Sequence, residues 1–342
     1  MSKVESNKII VTGGLGYIGS HTIVDLIANG FEVISVDSLI NSNENVLDGI
    51  EKITGKKIKN YQIDLSGENS WKTISENKSN IIGIIHFAAL KAVGESVEKP
   101  LEYYKNNIGS LLQVLEWMKQ DSIPYFIFSS SCTVYGDIKE SPVNEGSPFK
   151  PSNSPYGRTK QMGEWIIEDF FYNSSKKAIS LRYFNPAGAH ESIIIGEAPS
   201  NPALNLVPVI TETAIGKRKS LTVFGTDYPT PDGTCIRDYI HVMDIAHAHT
   251  LALQFLINGN QQSSFDAFNL GNEKGLSVLE IISAFEKVSG IKINYQPGSR
   301  RPGDVVEIYA DAQKARKILN WIPVRSIEDI MRTAWEWEKK RN

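Results

Sequence analysis

Residues 9–19 read IIVTGGLGYIG, and this stretch decides the fold class. An apolar, β-branched run leads into Gly13, Gly16 and Gly19, and a helical pattern begins at Tyr17. In such a strand–turn–helix unit, glycines permit a tight turn and let the backbone approach a pyrophosphate, while the helix N-terminus directs amide donors at the phosphates. The spacing predicts a dinucleotide cradle. A glycine triplet alone is a weak motif, so a tight connection without a ligand is the alternative.

The first half of the chain alternates short apolar runs with longer amphipathic segments. Strands are predicted at 8–13, 31–37, 60–65, 81–89, 125–131 and 178–185, and helices at 17–29, 45–54, 70–78, 98–120 and 156–173. Nearly continuous apolar strands that alternate with helices indicate a parallel sheet covered on both faces. Because crossover connections are right-handed, we predict an α/β fold with a doubly wound, Rossmann-like parallel sheet.

The composition changes after residue 185. Residues 186–237 are rich in Pro, Gly and Asn and contain one convincing helical pattern, at 205–217. Loop-rich segments that follow a doubly wound sheet build a smaller lobe over the ligand cleft. We therefore predict a dinucleotide-binding domain at 1–185, rejoined by about 238–258, where a strand and a helix return to the main sheet. A smaller, loop-rich C-terminal substrate lobe is predicted at 186–342.

The overall composition argues against several classes of protein. The chain has 342 residues, of which 41% are hydrophobic and 22% charged, and its formal net charge is −3. This balance offers no basic surface for a nucleic acid. The longest apolar stretch, near 81–90, is too short for a membrane span, and MSKVESNKII lacks a signal-peptide pattern. The two cysteines, Cys132 and Cys235, lack metal-type spacing, which indicates a cytoplasmic protein without a disulfide scaffold or metal site.

Acidic residues end the second and third predicted strands. A carboxylate at Asp37 can accept both hydroxyls of an adenosine ribose and would repel a 2′-phosphate, which favours NAD over NADP. The alternative for Asp37 is a turn cap. Asp64 lies where it could receive the adenine amino group.

Polar side chains also follow the fifth predicted strand. The sequence FSSSCTVYG, 128–136, places Ser129, Ser130 and Ser131 at the carboxyl edge of the sheet, where ligands of open α/β sheets bind. The sequence SPYGRTK, 154–160, places Tyr156 and Lys160 on one face of the next helix. The alternatives are serines that cap a turn and a tyrosine–lysine pair that packs on the surface.

These side chains together predict redox chemistry at a carbon that bears a hydroxyl group. The phenol of a tyrosine has a reference pKa of about 10, too high for a base at neutral pH. A nearby ammonium and a positive nicotinamide ring would lower the pKa of Tyr156. Lys160 would also hold the nicotinamide ribose. With Ser131 sharing the substrate hydroxyl, Tyr156 could then take its proton while the carbon loses hydride to NAD.

Longer motifs carry a resemblance to a known family. VTGGLGYIGS, FAALKAVGES, SSSCTVYG, SPYGRTK and RYFNPAGAH resemble the extended short-chain dehydrogenase/reductase superfamily. Together with PTPDGTCIRDYIHVMD at 229–244 and RRPGD at 300–304, they resemble within it the UDP-glucose 4-epimerase family, also called UDP-galactose 4-epimerases. The resemblance runs almost from end to end. It implies a homodimeric isomerase of galactose metabolism with bound NAD, which oxidises C4 of a UDP-hexose and returns the hydride to the other face of a 4-keto sugar.

The resemblance also implies the roles of individual residues. Tyr156 is the base, Lys160 its activator and Ser131 its hydrogen-bond partner. The implied cofactor contacts are Gly13, Gly16, Tyr17, Ile18, Gly19, Asp37, Asn41, Asp64, Leu65, Phe87, Ala88, Ala89, Lys91, Asn106, Ser129, Tyr156, Lys160 and Tyr183. The implied substrate contacts are Lys91, Ser131, Cys132, Thr133, Tyr156, Phe184, Asn185, Asn205, Leu206, Arg237, Arg301, Asp304 and Ile308.

The residues support the implied uridine diphosphate contacts, but alternatives stay open. Arginine forks suit a pyrophosphate, and an aspartate suits ribose hydroxyls. Arg237 could instead pair with its neighbour Asp238, and RRPGD could be a simple turn.

Two positions depart from the family's pattern. Ser38 stands where the family often has Asn after the ribose-binding aspartate, and Ile308 is intermediate between the aromatic and small residues found there, which bears on N-acetylated sugars.

The resemblance implies 4-epimerisation of UDP-galactose and UDP-glucose, and other reactions of related proteins are the alternatives. A nucleotide-sugar 4,6-dehydratase needs two carboxylates at the serine motif, where this chain has Cys132 and Thr133. UDP-sugar decarboxylation and 4-epimerisation of N-acetylhexosamines, pentoses or uronates stay open. A non-catalytic dinucleotide-binding protein would be expected to lose the serine, tyrosine and lysine that this chain keeps.

Overall fold

A computed structural model describes residues 7–75, 80–138, 140–199, 202–301 and 304–341. Its strands are β1 Lys8–Thr12, β2 Glu32–Val36, β3 Lys59–Tyr61, β4 Ile81–His86, β5 Tyr125–Ser131, β6 Lys177–Tyr183, β7 Asn185–Ala187, β8 Leu221–Phe224, β9 Ile236–His241, β10 Phe265–Leu270, β11 Gly275–Ser277, β12 Tyr295–Gly298 and β13 Glu307–Ile308. Its helices are α1 Tyr17–Ala28, α2 Val46–Thr54, α3 Lys72–Ser75, α4 Val93–Glu98, α5 Pro100–Gln120, α6 Pro155–Phe171, α7 Leu206–Ala214, α8 Val242–Ile257, α9 Val278–Ser289, α10 Gln313–Leu319 and α11 Ile327–Lys340.

The main sheet has seven parallel strands in the order β10-β6-β5-β4-β1-β2-β3. The chain winds outward from β1 in one direction through β2 and β3, and in the other direction from β4 to β6. The order therefore reverses between β1 and β4, and the glycine turn after β1 lies at this switch point, where open α/β sheets bind ligands. The predicted doubly wound, Rossmann-like fold is confirmed.

Helices cover both faces of this sheet. Alternate residues of β1 point to opposite sides, so Ile9 and Val11 pack in a core with α1 and α8, whereas Ile10 packs with α5 and α6 on the other face. All three side chains are fully buried. The strands are apolar along their whole length because each face meets a helix layer.

Most predicted elements are present, and the differences have local causes. The helix predicted at 98–120 is α5, which begins two residues later because Pro100 takes the first helical position. The short helix α4 before it was not predicted. The strand predicted at 60–65 ends at Tyr61, and Asp64 turns the chain by accepting the N–H of Ser66. The helix predicted at 70–78 spans Lys72–Ser75, and residues 76–79 lie outside the described chain.

The smaller lobe is built on two short sheets. One contains β11, β9 and β13 with β7 beside β9, and the other pairs β8 with β12. The strand predicted near 238 is β9, and it lies in the first of these sheets, whereas α8 directly after it packs on the main sheet. The seventh strand of the main sheet, β10, comes from residues 265–270. Apolar periodicity predicts a strand but does not specify which sheet it joins, so the proposed domain division should assign β10 to the main sheet.

Candidate active site

The glycine turn after β1 is too crowded for side chains. A Cβ on Gly19 would lie 2.2 Å from the carbonyl oxygen of Gly13, and one on Gly13 would lie 2.8 Å from the backbone nitrogen of Ala88. Gly13 also has a φ of +66°. Gly16 is the N-cap residue of α1 and brings no side chain to the helix N-terminus. The first-turn amides therefore face a cradle of bare backbone, which fits a dinucleotide pyrophosphate.

Asp37 follows β2 at the edge of this cradle, and its carboxylate is buried. Oδ2 accepts the N–H of Leu15 in the glycine turn at 2.9 Å, and Oδ1 accepts the N–H of Leu39 at 2.9 Å and the hydroxyl of Ser42 at 2.6 Å. Asp37 thus does cap a turn, as the alternative interpretation required. It also holds a charged acceptor beside the glycine turn. The other predicted adenosine contacts flank it: Asn41 and Asp64 are exposed, and Leu65 is buried.

The segment Phe87, Ala88, Ala89 follows β4 and closes the cradle from the other side. Its backbone is tied to β1, since the N–H of Phe87 donates to the carbonyl of Thr12 at 3.0 Å. Ile18 on α1 is half-buried and packs against the core on the α1 side of the sheet. The arrangement brings the predicted cofactor contacts from β1, β2 and β4 to one edge of the sheet.

Asn107 fastens this segment, and sequence reasoning missed it. Its side chain accepts the N–H of Leu90 at 2.8 Å and donates to the carbonyl of Leu90 at 3.0 Å and to Thr159 on α6 at 3.1 Å. The predicted contact was the preceding residue, Asn106, which is half-buried on the same helix. The signal available in the sequence was the pair of asparagines itself, which does not reveal which one faces the loop.

The three serines at the end of β5 have separate partners. Ser129 hydrogen-bonds the phenol of Tyr183, while Ser130, on the opposite face, hydrogen-bonds Glu164. Glu164 forms a buried ion pair with Arg182 at 2.6 Å, so Ser130 belongs to a structural network. Ser131 accepts the N–H of Thr133 at 3.2 Å and hydrogen-bonds Tyr156. The alternation of a strand therefore divides the serines between core and site.

Tyr156 and Lys160 lie in the first two turns of α6. The helix begins at Pro155, and its N-cap Ser154 accepts the N–H of Gly157 at 3.1 Å. The ammonium of Lys160 donates to the carbonyl of Ser129 at 2.7 Å and lies 5.8 Å from the ring centroid of Tyr156. Lys160 is buried, so this pair does not pack on the surface.

The protein alone does not make Tyr156 a strong base. Burial raises the pKa of the Tyr156 phenol to about 12, against a smaller lowering by the hydrogen bond from Ser131. Burial likewise lowers the pKa of Lys160 to about 8, and Glu164 opposes this shift. The sequence predicts that Lys160 lowers the pKa of Tyr156 toward neutral pH. In the protein alone this does not happen, because the desolvation of both groups outweighs their interaction.

An apolar cluster lies beside this constellation. Cys132, Phe184 and Ile308 are buried in it together, although Cys132 follows β5, Phe184 follows β6 and Ile308 lies on β13. Burial raises the pKa of the Cys132 thiol to about 11, and the neighbouring Thr133 hydroxyl is also buried. Neither side chain can serve as a carboxylic acid or a carboxylate base, which disfavours dehydratase chemistry.

The polar substrate candidates come from the smaller lobe. Arg237 on β9 lies 3.4 Å from Asp304, whereas Asp238 accepts backbone N–H groups of Asn272 and Ala310. The Arg237–Asp238 alternative is thus replaced by a pair between two predicted ligand contacts. The guanidinium of Arg301 lies 4.6 Å from the ring centroid of Phe224. Asn185 is the first residue of β7. Asn205 is the N-cap residue of α7, and Leu206 is the first residue of that helix. Pro302 and Gly303 lie outside the described residues.

Comparisons with known proteins identify the family. A family model described as GDP-mannose 4,6 dehydratase matches residues 10–334. A UDP-glucose 4-epimerase of Erwinia amylovora is 46% identical over 97% of this chain and 98% of its own length. A second, from Bacillus subtilis, is 45% identical and covers 96% of both chains. The chain belongs to the UDP-glucose 4-epimerase family.

Solved structures of UDP-glucose 4-epimerases share this architecture. The enzyme of Bifidobacterium longum, crystallised with NAD+ and UDP, has a TM-score of 0.93 and 43% identity, and the match covers 98% of each chain. The UDP-Glc/GlcNAc 4-epimerase of Campylobacter jejuni has a TM-score of 0.83 and 38% identity, over 98% of this chain and 100% of its own. Within the described ranges, no helix of this chain has the length and apolarity needed to cross a bilayer.

Proposed function

We propose that this protein catalyses the reversible, NAD-dependent 4-epimerisation of UDP-galactose and UDP-glucose. The observation that carries the proposal is the meeting of Ser131, Tyr156 and Lys160 beside the glycine turn, in a chain that belongs to the UDP-glucose 4-epimerase family. The three side chains come from two elements and converge at the carboxyl edge of the sheet.

NAD fits the cradle on two grounds. Backbone fills the places where side chains at Gly13 and Gly19 would stand, and the buried carboxylate of Asp37 can accept ribose hydroxyls and disfavours a 2′-phosphate. We assign the adenosine half to Asp37, Asn41, Asp64 and Leu65, and the nicotinamide half to Phe87, Ser129, Lys160 and Tyr183. Bound NAD supplies the acceptor and donor for a hydride at the sugar carbon.

Tyr156 moves the proton of the reaction. Its phenolate takes the proton of the C4 hydroxyl as that carbon is oxidised, and its phenol returns the proton when the 4-keto group is reduced from the other face. Ser131 hydrogen-bonds the phenol and shares the substrate oxygen. Because burial holds the pKa of Tyr156 near 12 in the protein alone, the phenolate requires positive charge in the assembled complex.

The smaller lobe would hold the nucleotide while the sugar turns. Arg237 and Arg301 offer guanidinium groups to the diphosphate, and Asp304 offers acceptors to a ribose. Anchoring at the nucleotide leaves the hexose free to rotate about its phosphate linkage. Cys132, Phe184 and Ile308 would form an apolar wall beside the hexose. Ile308 leaves N-acetylhexosamines open as second substrates, since the Campylobacter jejuni relative is named for both sugar types.

We further propose a cytoplasmic homodimer. Helices α5 and α6 carry exposed apolar side chains, including Leu101, Leu112, Met162 and Trp165, of which Trp165 is 52% exposed. Large exposed apolar groups on adjacent helices suit a second copy of the chain. Both cysteines are unpaired and buried, which is consistent with a reducing compartment.

The test is direct. Purified protein is incubated with UDP-galactose without added cofactor, and the sugar is followed by NMR. UDP-glucose should accumulate to an equilibrium mixture with no net release of NADH. A 4-keto-6-deoxy sugar would instead indicate dehydratase chemistry, and an unchanged substrate with tightly bound NAD would indicate a non-catalytic dinucleotide-binding protein.

A further inference from the structure

Glu197 lies between two residues that we assign to the ligand, on opposite sides of the cleft. Its Oε1 accepts from the ammonium of Lys91 at 3.3 Å and from the side-chain amide of Asn205 at 3.2 Å. Lys91 belongs to the segment after β4, and Asn205 is the N-cap residue of α7 in the smaller lobe. One carboxylate oxygen therefore joins the cofactor side of the cleft to the nucleotide-sugar side.

The backbone that carries Glu197 is held firmly. The indole N–H of Trp337 on α11 donates to the carbonyl of Glu197 at 2.8 Å. The indole ring fills the space beside Gly196, where a Cβ would lie 2.6 Å from the ring. Gly196 also pairs with Ala189, and the preceding Gly188 accepts the phenol of Tyr17 at 2.6 Å. The Glu197 segment is thus anchored to the glycine turn at one end and to the C-terminal helix at the other.

The side chains in this contact differ in mobility. The side chain of Glu197 is only 10% exposed, whereas that of Lys91 is 62% exposed. An exposed lysine has four rotatable bonds and loses considerable entropy when a ligand orders it. A buried carboxylate that already directs its ammonium reduces this cost before binding. An ordinary surface ion pair would contribute little, but here a fixed acceptor orders two donors at once.

The hydrogen bonds to Glu197 leave further N–H donors on both Lys91 and Asn205. An ammonium has three N–H groups and a side-chain amide has two, so each keeps donors for phosphate or sugar oxygens. The ring of Tyr17 also lies beneath the lysine, with its centroid 5.8 Å from the Lys91 nitrogen. Glu197 can therefore stay in place while both partners bind a ligand.

We infer that Glu197 is a positioning residue that preorganises Lys91 and Asn205 for a nucleoside diphosphate sugar. It acts through its partners and not on the reacting carbon. The inference rests on the proposed function in that it takes both partners to be ligand contacts. Its effect should appear in substrate and UDP affinity and leave the chemical step nearly unchanged.

The test compares E197A and E197Q in the purified holoenzyme. For E197A we expect KM for UDP-galactose and the Kd of UDP measured by calorimetry to rise about five- to tenfold, with kcat within about twofold of wild type. E197Q retains an acceptor oxygen at the same position and should recover most of the affinity. W337F keeps a ring against Gly196 but removes the indole N–H, so it should shift the UDP Kd in the same direction by less.

A matched control and a double variant complete the design. E336A removes an exposed ion pair with Lys339 on α11, next to Trp337, and should not change the UDP Kd. If Glu197 acts through the lysine, K91M combined with E197A should weaken UDP binding by less than the product of the two single effects. Melting temperatures of all variants confirm that folded proteins are compared.

Two results would overturn the inference. A UDP Kd of E197A equal to that of wild type would exclude a positioning role, and so would E197Q behaving like E197A, since only charge would then matter. Failure of the proposed function looks different. Wild type would then leave UDP-galactose unchanged, whereas UDP binding would still report on Glu197.

Discussion

The ammonium nitrogen of Lys160 lies 2.7 Å from the carbonyl oxygen of Ser129 and donates a hydrogen bond to it. This bond joins α6 to the end of β5 and fixes the helix that carries Tyr156 against the strand that carries Ser131. Two positions on the same face of β5 thereby serve different purposes. The backbone carbonyl of Ser129 positions Lys160, and the hydroxyl of Ser131, two residues later, hydrogen-bonds the phenol of Tyr156. The relative positions of Ser131, Tyr156 and Lys160 therefore depend on the packing of α6 against β5.

Replacing Tyr156 by Phe should abolish most turnover. The ring keeps its volume at a half-buried position, but the group that exchanges the proton is lost, and general acid–base catalysis contributes about 10²- to 10⁴-fold. We expect kcat for UDP-galactose to fall within that range while the Kd of UDP stays within about twofold. Near-normal turnover measured by NMR would show that another group moves the proton.

Replacing Gly19 by Ala should prevent NAD binding. The added Cβ would lie 2.2 Å from the carbonyl oxygen of Gly13, so the turn must shift and carry the first amides of α1 with it. The purified variant should lack bound NAD and epimerase activity. Gly30→Ala is the control away from the cradle, since nothing lies within 4 Å of a Cβ there, although its φ of +87° costs some stability. Retention of NAD by the Gly19 variant would contradict the assigned cradle.

The size of residue 308 should set tolerance for N-acetylated sugars. Ile308 is buried beside Cys132 and Phe184, so a smaller side chain there opens space and a larger one fills it. We expect I308C to raise the ratio of kcat/KM for UDP-N-acetylglucosamine over UDP-glucose by about tenfold, and I308Y to lower it. Equal ratios in both variants would place the N-acetyl group elsewhere.

Stability should fall as the pH drops below about 6.5. Burial lowers the pKa of His21 to about 4, of His86 to about 3, of His241 to about 3 and of His249 to about 4. With an unfolded pKa near 6.5, each group takes up a proton on unfolding between the two values, so the free energy of unfolding decreases by about 1.4 kcal/mol per pH unit for each histidine.

Buried carboxylates oppose this trend, because burial raises the pKa values of Asp238, Glu145 and Asp244. Burial raises the pKa of Asp238 to about 7, so the folded state holds one more proton there between about pH 4 and 7. The four histidines outnumber these carboxylates, so urea denaturation at pH 5.0, 6.0 and 7.5 should report a net uptake of protons on unfolding near pH 5. A free energy of unfolding that does not change over this range would contradict the neutral, buried state of the histidines.

Replacing Trp165 by Glu should disrupt the proposed dimer. The indole is 52% exposed on α6, and a charge at this position would have to lose its hydration in an interface of two copies. Sedimentation should show wild type as a dimer and the variant as a monomer of unchanged melting behaviour at low concentration. A monomeric wild-type protein would contradict the proposed dimer. Tyr295→Glu, exposed on β12 away from α5 and α6, is the control.

Local patterns in the sequence were sufficient for the fold class and for the reactive groups. The glycines of residues 13–19 and the apolar strands are constrained by backbone sterics and by burial on two faces, so each leaves a signal over a few residues. The helix phase alone places Tyr156 beside Lys160. For the same reason, the start of α5 at Pro100 could have been predicted from the proline.

Only the tertiary structure decided which distant residues meet. It joins Arg237 to Asp304, makes Asn107 the residue that holds the loop at Leu90, and sets Glu197 between Lys91 and Asn205. It also places β9 and β10 in different sheets and shows that burial raises the pKa of Tyr156. These outcomes depend on packing between residues that are distant in sequence and on desolvation in the folded protein. A local sequence pattern contains neither kind of information.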